Sequence, residues 1–204
     1  MVRVKICGIT RFGDLEQAAR YGADAIGLVV GFPRSPRNLS VEKARELRRS
    51  TPPFLDVVLV VDGSNQDFLI KAIKRIMPDA VQAYGFEDPS ILRELGVSWV
   101  IKPIRSDTEI IDDLREFDAI LFDNSMGRGI KASWDTSKRI REKIELPLIL
   151  AGGLNPENVR EAIKIVKPYG VDVSSGVESA PGIKDPGKLK EFIRRVREAE
   201  SDEL

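Results

Sequence analysis

The sequence predicts an α/β protein folded as a single-domain (β/α)8 barrel, and three observations carry that expectation. Short runs of β-branched and aliphatic residues recur eight times, helical patterns separate them, and nearly every run is apolar throughout rather than alternating. Strands that are apolar on both faces belong to a parallel sheet covered by helices, and eight βα units are the number that closes such a sheet into a TIM barrel. The chain of 204 residues, 42% of them hydrophobic, has the length of one domain, near the lower end for a barrel of this kind.

The eight runs are Arg3–Cys7, Ala25–Val30, Phe54–Asp62, Ala80–Tyr84, Ser98–Ile104, Ala119–Asp123, Leu146–Gly152 and Gly170–Ser174. Three of them open alike, on Asp24-Ala25-Ile26, Asp79-Ala80-Val81 and Asp118-Ala119-Ile120, a faint internal repeat of the βα unit. Asp88-Pro89, Asn155-Pro156 and Asp185-Pro186 each place a capping side chain before a proline suited to a first helical turn. Helical spacing follows in Phe68, Leu69, Ala72, Ile73, Ile76 of the third helix, in Ile110, Ile111, Leu114, Phe117 of the fifth, and in Leu189, Phe192, Ile193, Val196 of the last. An open doubly wound sheet is the competing architecture. It is disfavoured because the first strand is followed by Cys7-Gly8-Ile9-Thr10 and not by G-x-G-x-x-G. No linker, low-complexity segment or second domain is expected.

Lys plus Arg number 32 and Asp plus Glu number 32, so no global charge draws the chain to nucleic acid or anionic lipid. No apolar run reaches membrane-spanning length. The expected partner is a small molecule, with neither nucleic acid nor membrane. One cysteine excludes an intrachain disulfide and points to a reduced, cytoplasmic setting. The absence of histidine leaves Cys, Asp, Glu, Lys or Tyr for any proton transfer. The chain runs from Met1 straight into a strand, so no leader is expected, and the retention-like Ser201-Asp202-Glu203-Leu204 is read as chance. With 31% charged residues and few Gln, Asn or Met, the composition fits a hot habitat.

In a parallel barrel the chemistry lies at the carboxyl ends of the strands. The seventh and eighth ends carry Ala151-Gly152-Gly153-Leu154-Asn155-Pro156 and Val173-Ser174-Ser175-Gly176-Val177-Glu178. Either stretch alone reads as a tight turn or a cap. Together, on consecutive strand ends, they read as backbone N–H groups cradling a phosphate. Cys7 ends the first strand and is either a small buried hydrophobe or a catalytic thiol, with Lys5 on the same strand face to favour its thiolate. Asp123 ends the sixth strand after an apolar run and is either a loop cap or a proton-donating carboxyl. Arg37, in the long second loop, is either a solvated side chain or a clamp for a substrate carboxylate.

Val4-Lys5-Ile6-Cys7-Gly8-Ile9-Thr10, the loop Ala151 to Val159, and Asp172 to Glu178 followed by Pro181-Gly182-Ile183-Lys184-Asp185 resemble the signatures of phosphoribosylanthranilate isomerases. Order and spacing match across essentially the whole chain. The resemblance implies an Amadori rearrangement in tryptophan biosynthesis that converts N-(5′-phosphoribosyl)anthranilate to 1-(2-carboxyphenylamino)-1-deoxyribulose 5-phosphate. It implies no metal or organic cofactor, and a monomer or homodimer. It makes Cys7 the general base and Asp123 the general acid, Arg37 the holder of the anthranilate carboxylate, and Gly152, Gly153, Ser175 and Gly176 the phosphate loops. The base role calls for appreciable thiolate near neutral pH. Two places depart from the family pattern: Gln82-Ala83-Tyr84-Gly85 stands where Gln-Leu-His-Gly is usual, and the sixth loop, Asn124 to Ile130, is only loosely similar. The alternatives are another phosphate-binding barrel isomerase with a dual substrate range, and a barrel that binds without catalysis.

Overall fold

A computed structural model describes residues 1–86, 88–106, 114, 116–123 and 134–201. Its eight main strands are β1 (Arg3–Cys7), β2 (Ala25–Val30), β3 (Asp56–Asp62), β4 (Ala80–Tyr84), β5 (Trp99–Ile104), β6 (Ala119–Asp123), β7 (Leu148–Ala151) and β8 (Gly170–Val173). Each pairs in parallel with the next, and β1 pairs with both β2 and β8, so the sheet closes as expected. A two-residue strand, Asn38–Leu39, lies along the end of β2.

Four of the strands, β3, β5, β7 and β8, are shorter than the apolar runs that predict them. Phe54 has φ of 69°, left-handed backbone that no strand tolerates, so β3 starts at Asp56. Gly152, with φ of 91°, turns the chain out of β7, and Ser174 leaves β8 for a single turn of 3-10 helix at Ser175–Val177.

Seven helices are described: α1 (Phe12–Tyr21), α2 (Val41–Arg49), α3 (Gln66–Ile76), α4 (Ser90–Glu94), α5 (Trp134–Lys143), α6 (Val159–Val166) and α7 (Pro186–Ser201). Asp185 caps α7 as expected, its Oδ1 accepting the Lys188 N–H at 2.9 Å. Asp88 accepts the N–H of Ser90, where α4 begins. Asn155 differs from expectation: its Oδ1 accepts from Glu157 and Asn158 N–H, which closes a separate turn, and α6 starts only at Val159. Ile110 and Ile111, the Asn124 to Ile130 loop, and Asp202 to Leu204 lie outside the described residues.

Two apolar cores result. Between strands and helices, α3 buries Leu69, Ala72, Ile73 and Ile76, while α7 buries Leu189, Phe192, Ile193 and Val196. Inside the barrel, Val29, Val58, Val60, Ile101, Leu121 and Ala151 pack with Cys7. Each large side chain so buried contributes about 1.5–3 kcal/mol.

The Asp-Ala repeat acquires a physical meaning here. Asp24, Asp79 and Asp118 precede the even strands β2, β4 and β6. Their carboxylates accept the backbone N–H of Val4, Val57 and Val100, the second residues of β1, β3 and β5, at 2.8, 2.8 and 2.6 Å. Each aspartate returns its own N–H to the carbonyl of the same valine. Each also holds an arginine: Arg3 and Arg197 on Asp24, Arg48 on Asp79, Arg93 on Asp118. The fourth such pair, β7 and β8, keeps the equivalent backbone bond, Tyr169 N–H to Leu148 carbonyl, with tyrosine in the aspartate's place. Three of the four strand pairs are thus clasped by a carboxylate at the amino end of the barrel.

Burial works against the Asp24 charge, but hydrogen bonds from Arg3, the Val4 N–H and Arg197 outweigh it and hold the carboxyl below its ordinary value. A depressed folded-state value gives stability above the unfolded-chain carboxylate range that is lost as pH falls through the folded value. Asp24→Ala should therefore cost about 1.5–3 kcal/mol near neutral pH, the worth of hydrogen bonds to a charged group. The gap from the parent, measured by urea unfolding, should close as pH drops below about 4. A gap that stayed constant with pH would rule out the clasp.

Candidate active site

Alternate residues of a barrel strand face the lumen, so polar residues two apart stack in layers. The lower layer comprises Lys5 on β1, Gln82 on β4 and Asp172 on β8, all buried. Lys5 Nζ donates to Gln82 Oε1 at 3.0 Å and lies 3.0 Å from Asp172 Oδ1. Burial opposes the Lys5 charge, but Asp172 together with Cys7 and Tyr84 holds the proton and raises the ammonium above its ordinary value.

One step toward the carboxyl ends stand Cys7, Tyr84 and Asp123. Cys7 lies opposite Gly27 in the β1–β2 register, where a Cβ would come within 2.8 Å of its Sγ, so glycine leaves the thiol its space. Burial pushes the thiol up, Lys5 and Lys184 pull it down, and burial prevails. Lys5 thus acts in the expected direction, while burial opposes the thiolate near neutral pH that the base role calls for. The ammonium is already engaged by Asp172, which itself opposes the thiolate.

Tyr84 is mostly buried, its hydroxyl accepting from Gln82 Nε2 at 3.1 Å. Burial and the neighbouring Cys7 push the phenol up to about 12, with Asp123 adding to the effect. Phe32 packs edge-on at 5.8 Å between ring centroids, and the Arg105 guanidinium lies 5.1 Å from the Tyr84 ring centroid. Asp123 ends β6 opposite Ala151, half-buried, with its charge bearing on both Tyr84 and Asp172.

Arg37 reaches across the end of β1, where a Cβ on Gly8 would overlap its Cδ. Its Nε and Nη2 donate to the two carboxylate oxygens of Glu178 at 2.8 and 2.6 Å, and Lys184 Nζ reaches the same carboxylate at 2.9 Å. Burial opposes the Glu178 charge, yet Arg37 and Lys184 hold its carboxyl below the ordinary value. Two cations sharing one carboxylate leave this side of the mouth positive. Nη1 of Arg37 makes no hydrogen bond among the described residues, so that edge of the guanidinium is free.

The seventh and eighth loops meet backbone to backbone. A Cβ on Gly176 would overlap the Leu154 carbonyl oxygen, whereas Gly153, exposed and with φ of 67°, has open space around it. Ser175 is exposed at the start of the 3-10 turn. The seven residues singled out in the sequence therefore all lie at or beside the carboxyl ends of the strands. The partners Gln82, Asp172, Glu178 and Lys184 were not assigned roles there. A signal existed for Gln82 and Asp172, since a charged or amide side chain inside an apolar strand has to be paired, but not for Glu178 and Lys184, which follow the last barrel strand. Among the described residues no group of three or more Cys, Asp or Glu could hold a metal ion.

Residues 4–195 match the family described as N-(5'phosphoribosyl)anthranilate (PRA) isomerase. The N-(5'-phosphoribosyl)anthranilate isomerase of Geotalea uraniireducens is 44% identical over 97% of this chain and 99% of its own length. A crystal structure of phosphoribosyl anthranilate isomerase with reduced 1-(o-carboxyphenylamino)-1-deoxyribulose 5-phosphate superposes with a TM-score of 0.82 at 38% identity, covering 97% and 100% of the two chains. Monomers generated from the dimeric Thermotoga maritima enzyme give 0.78 at 34% identity, covering 97% and 99%. A family match over nearly the whole chain, full-length relatives above 30% identity and a shared closed barrel agree: the chain belongs to the N-(5'-phosphoribosyl)anthranilate isomerase family.

Proposed function

We infer that the chain catalyses its family's reaction, the Amadori rearrangement of N-(5′-phosphoribosyl)anthranilate in tryptophan biosynthesis, with Cys7 and Asp123 as its acid/base pair. The observation that carries the assignment of residues is the layer at the barrel mouth, where a thiol and a carboxyl face the lumen between a free guanidinium edge and two glycine-rich loops.

In this reading the carboxyl of Asp123 gives its proton to the furanose ring oxygen as the C1′–O bond breaks, leaving a protonated Schiff base at C1′. The Cys7 thiolate then removes the C2′ proton, and the electron pair forms the C1′–C2′ double bond of an enolamine. Protonation at C1′ and loss of the hydroxyl proton yield the C2′ ketone. The substrate phosphate lies on the N–H groups about Gly152, Gly153, Ser175 and Gly176, and the anthranilate carboxylate takes the free edge of Arg37. Gly176 serves mainly to let the loops meet, and Gly153 is the more open to a ligand. No step calls for a metal or organic cofactor. A base that must be a free thiolate fits a reducing compartment, and the cytoplasm is the setting proposed.

Assembly is read from the opposite end of the barrel. There a cavity of about 420 Å3 is lined by the amino ends of all eight strands. Phe54, fully exposed and in left-handed backbone, projects beside it with the half-exposed Trp99 and Tyr169. An apolar ring around a concavity is the composition of an interface, and a second copy of the chain, each Phe54 entering the other's cavity, is the proposed occupant. The dimeric Thermotoga relative supports that choice over a monomer.

Three outcomes are expected. Inactivation by iodoacetamide, followed by loss of turnover of the fluorescent substrate, should quicken as pH rises into the alkaline range, because the buried thiol's raised value confines the thiolate there. Cys7→Ala should lose about 100-fold or more in kcat. Inactivation already complete at pH 6 would contradict the buried-thiol account. Arg37→Ala should raise KM by about 10- to 100-fold with a smaller change in kcat, as for a lost hydrogen bond to a charged group far from C2′; a collapse in kcat at constant KM would remove the clamp. Phe54→Asp should halve the mass seen by light scattering while kcat holds, since the two ends of the barrel are separate. An unchanged mass would exclude this interface.

A further inference from the structure

The buried hydrogen bonds of the lumen have a fixed polarity. An ammonium has donors only, so Lys5 dictates that Gln82 turns its carbonyl oxygen inward. The Gln82 amide NH2 must then face the other way, and it donates to the Tyr84 hydroxyl at 3.1 Å. With one lone pair of that hydroxyl engaged as an acceptor, its own proton points elsewhere, and among the described residues no acceptor receives it. The ring is fixed from two sides, by Phe32 edge-on and by the Arg105 guanidinium over its face. Burial keeps the phenol protonated throughout the working pH range. The arrangement presents one neutral O–H donor, held in direction, beside Cys7 and Asp123.

We propose that Tyr84 is a catalytic hydrogen-bond donor to the C2′ oxygen of the substrate, oriented for that task by the relay from Lys5 through Gln82. The proposal rests on the functional reading above. Cys7 takes the proton from C2′, so the oxygen on that carbon must lie within the same layer of side chains, next to Tyr84. A donor there withdraws electron density from C2′ as its proton leaves, and it matches the carbonyl oxygen that the ketone product presents. Gln82 is a positioning residue, acting only through Tyr84. No covalent bond to Tyr84 forms and its proton is not transferred.

Tyr84→Phe removes the hydroxyl and keeps the ring in its packing. It should lower kcat by roughly 10-fold or more, as when one donor to a reacting oxygen is lost, while KM and melting temperature stay close to the parent's. Tyr84→His should recover a substantial part of the lost kcat. Gln82→Met should lower kcat less than Tyr84→Phe does, and the double variant should be no slower than Tyr84→Phe alone, because Gln82 has nothing left to orient. Parent-like kcat in Tyr84→Phe overturns the proposal, as does a rise in KM with kcat unchanged, and so does a double variant whose losses multiply. If Tyr84→Phe proves unstable, the Tyr84→His and Gln82→Met comparison decides in its place. Parent protein that fails to turn over the anthranilate substrate overturns the functional reading itself, an outcome distinct from these.

Discussion

A positive charge buried in the middle of a barrel lumen has to be compensated, and much of the site follows from how Lys5 is compensated. Water is excluded there, so an unpaired ammonium would be driven to give up its proton. Asp172 supplies the countercharge and Gln82 the acceptor. Each partner lies on a different strand, so the pairing works only with β1, β4 and β8 in their closed register. A buried pair of this kind adds little net stability, since desolvation consumes most of its attraction. What it gives is direction, because every donor above it is oriented by the charge below.

The same pair sets the electrostatics of the thiol. Lys5 is the nearest cation to Cys7 but is not free to act as one, and Asp172 offsets part of what remains. Arg37 and Lys184, which share Glu178, leave a net positive charge at the mouth for an anionic ligand. Charges thus divide by depth: balanced in the lumen, and positive at the opening where phosphate and carboxylate would arrive.

Much of this was legible in the amino-acid order. Continuous apolar runs separated by helical spacing define a closed parallel sheet, and Cys7, Asp123, Arg37 and the glycine loops fall at its carboxyl ends because each ends a run or follows one. Other features were hidden for identifiable reasons. Phe54 looked like the start of a strand, since its positive φ follows from its turn and not from its side chain. Asn155-Pro156 looked like a helix cap, and only the chain path shows that a turn intervenes. The bidentate contact of Arg37 with Glu178 spans 141 positions, beyond any local pattern. Lys5 does pull the thiol down, but its burial among apolar lumen residues of other strands outweighs that pull, and Asp172, contributed by the far end of the chain, adds to the upward push.

The carboxylate clasps at the amino ends bear on how the chain reaches its fold. Each joins consecutive strands and spans only about twenty positions, 20 from Asp24 to Val4 and 18 from Asp118 to Val100. Bringing such close positions together costs little chain entropy, whereas closing the ring by pairing Arg3 with Gly170 requires nearly the whole chain. Successive pairs of βα units can therefore organise locally, each locked by its own aspartate before the barrel is complete. The last pair, β7 with β8, has Tyr169 where the others have a carboxylate, and β8 is also the strand that must meet β1. The seam of the barrel thus adjoins the one of these four pairs that has no acidic clasp, and this is where opening of the closed ring would begin.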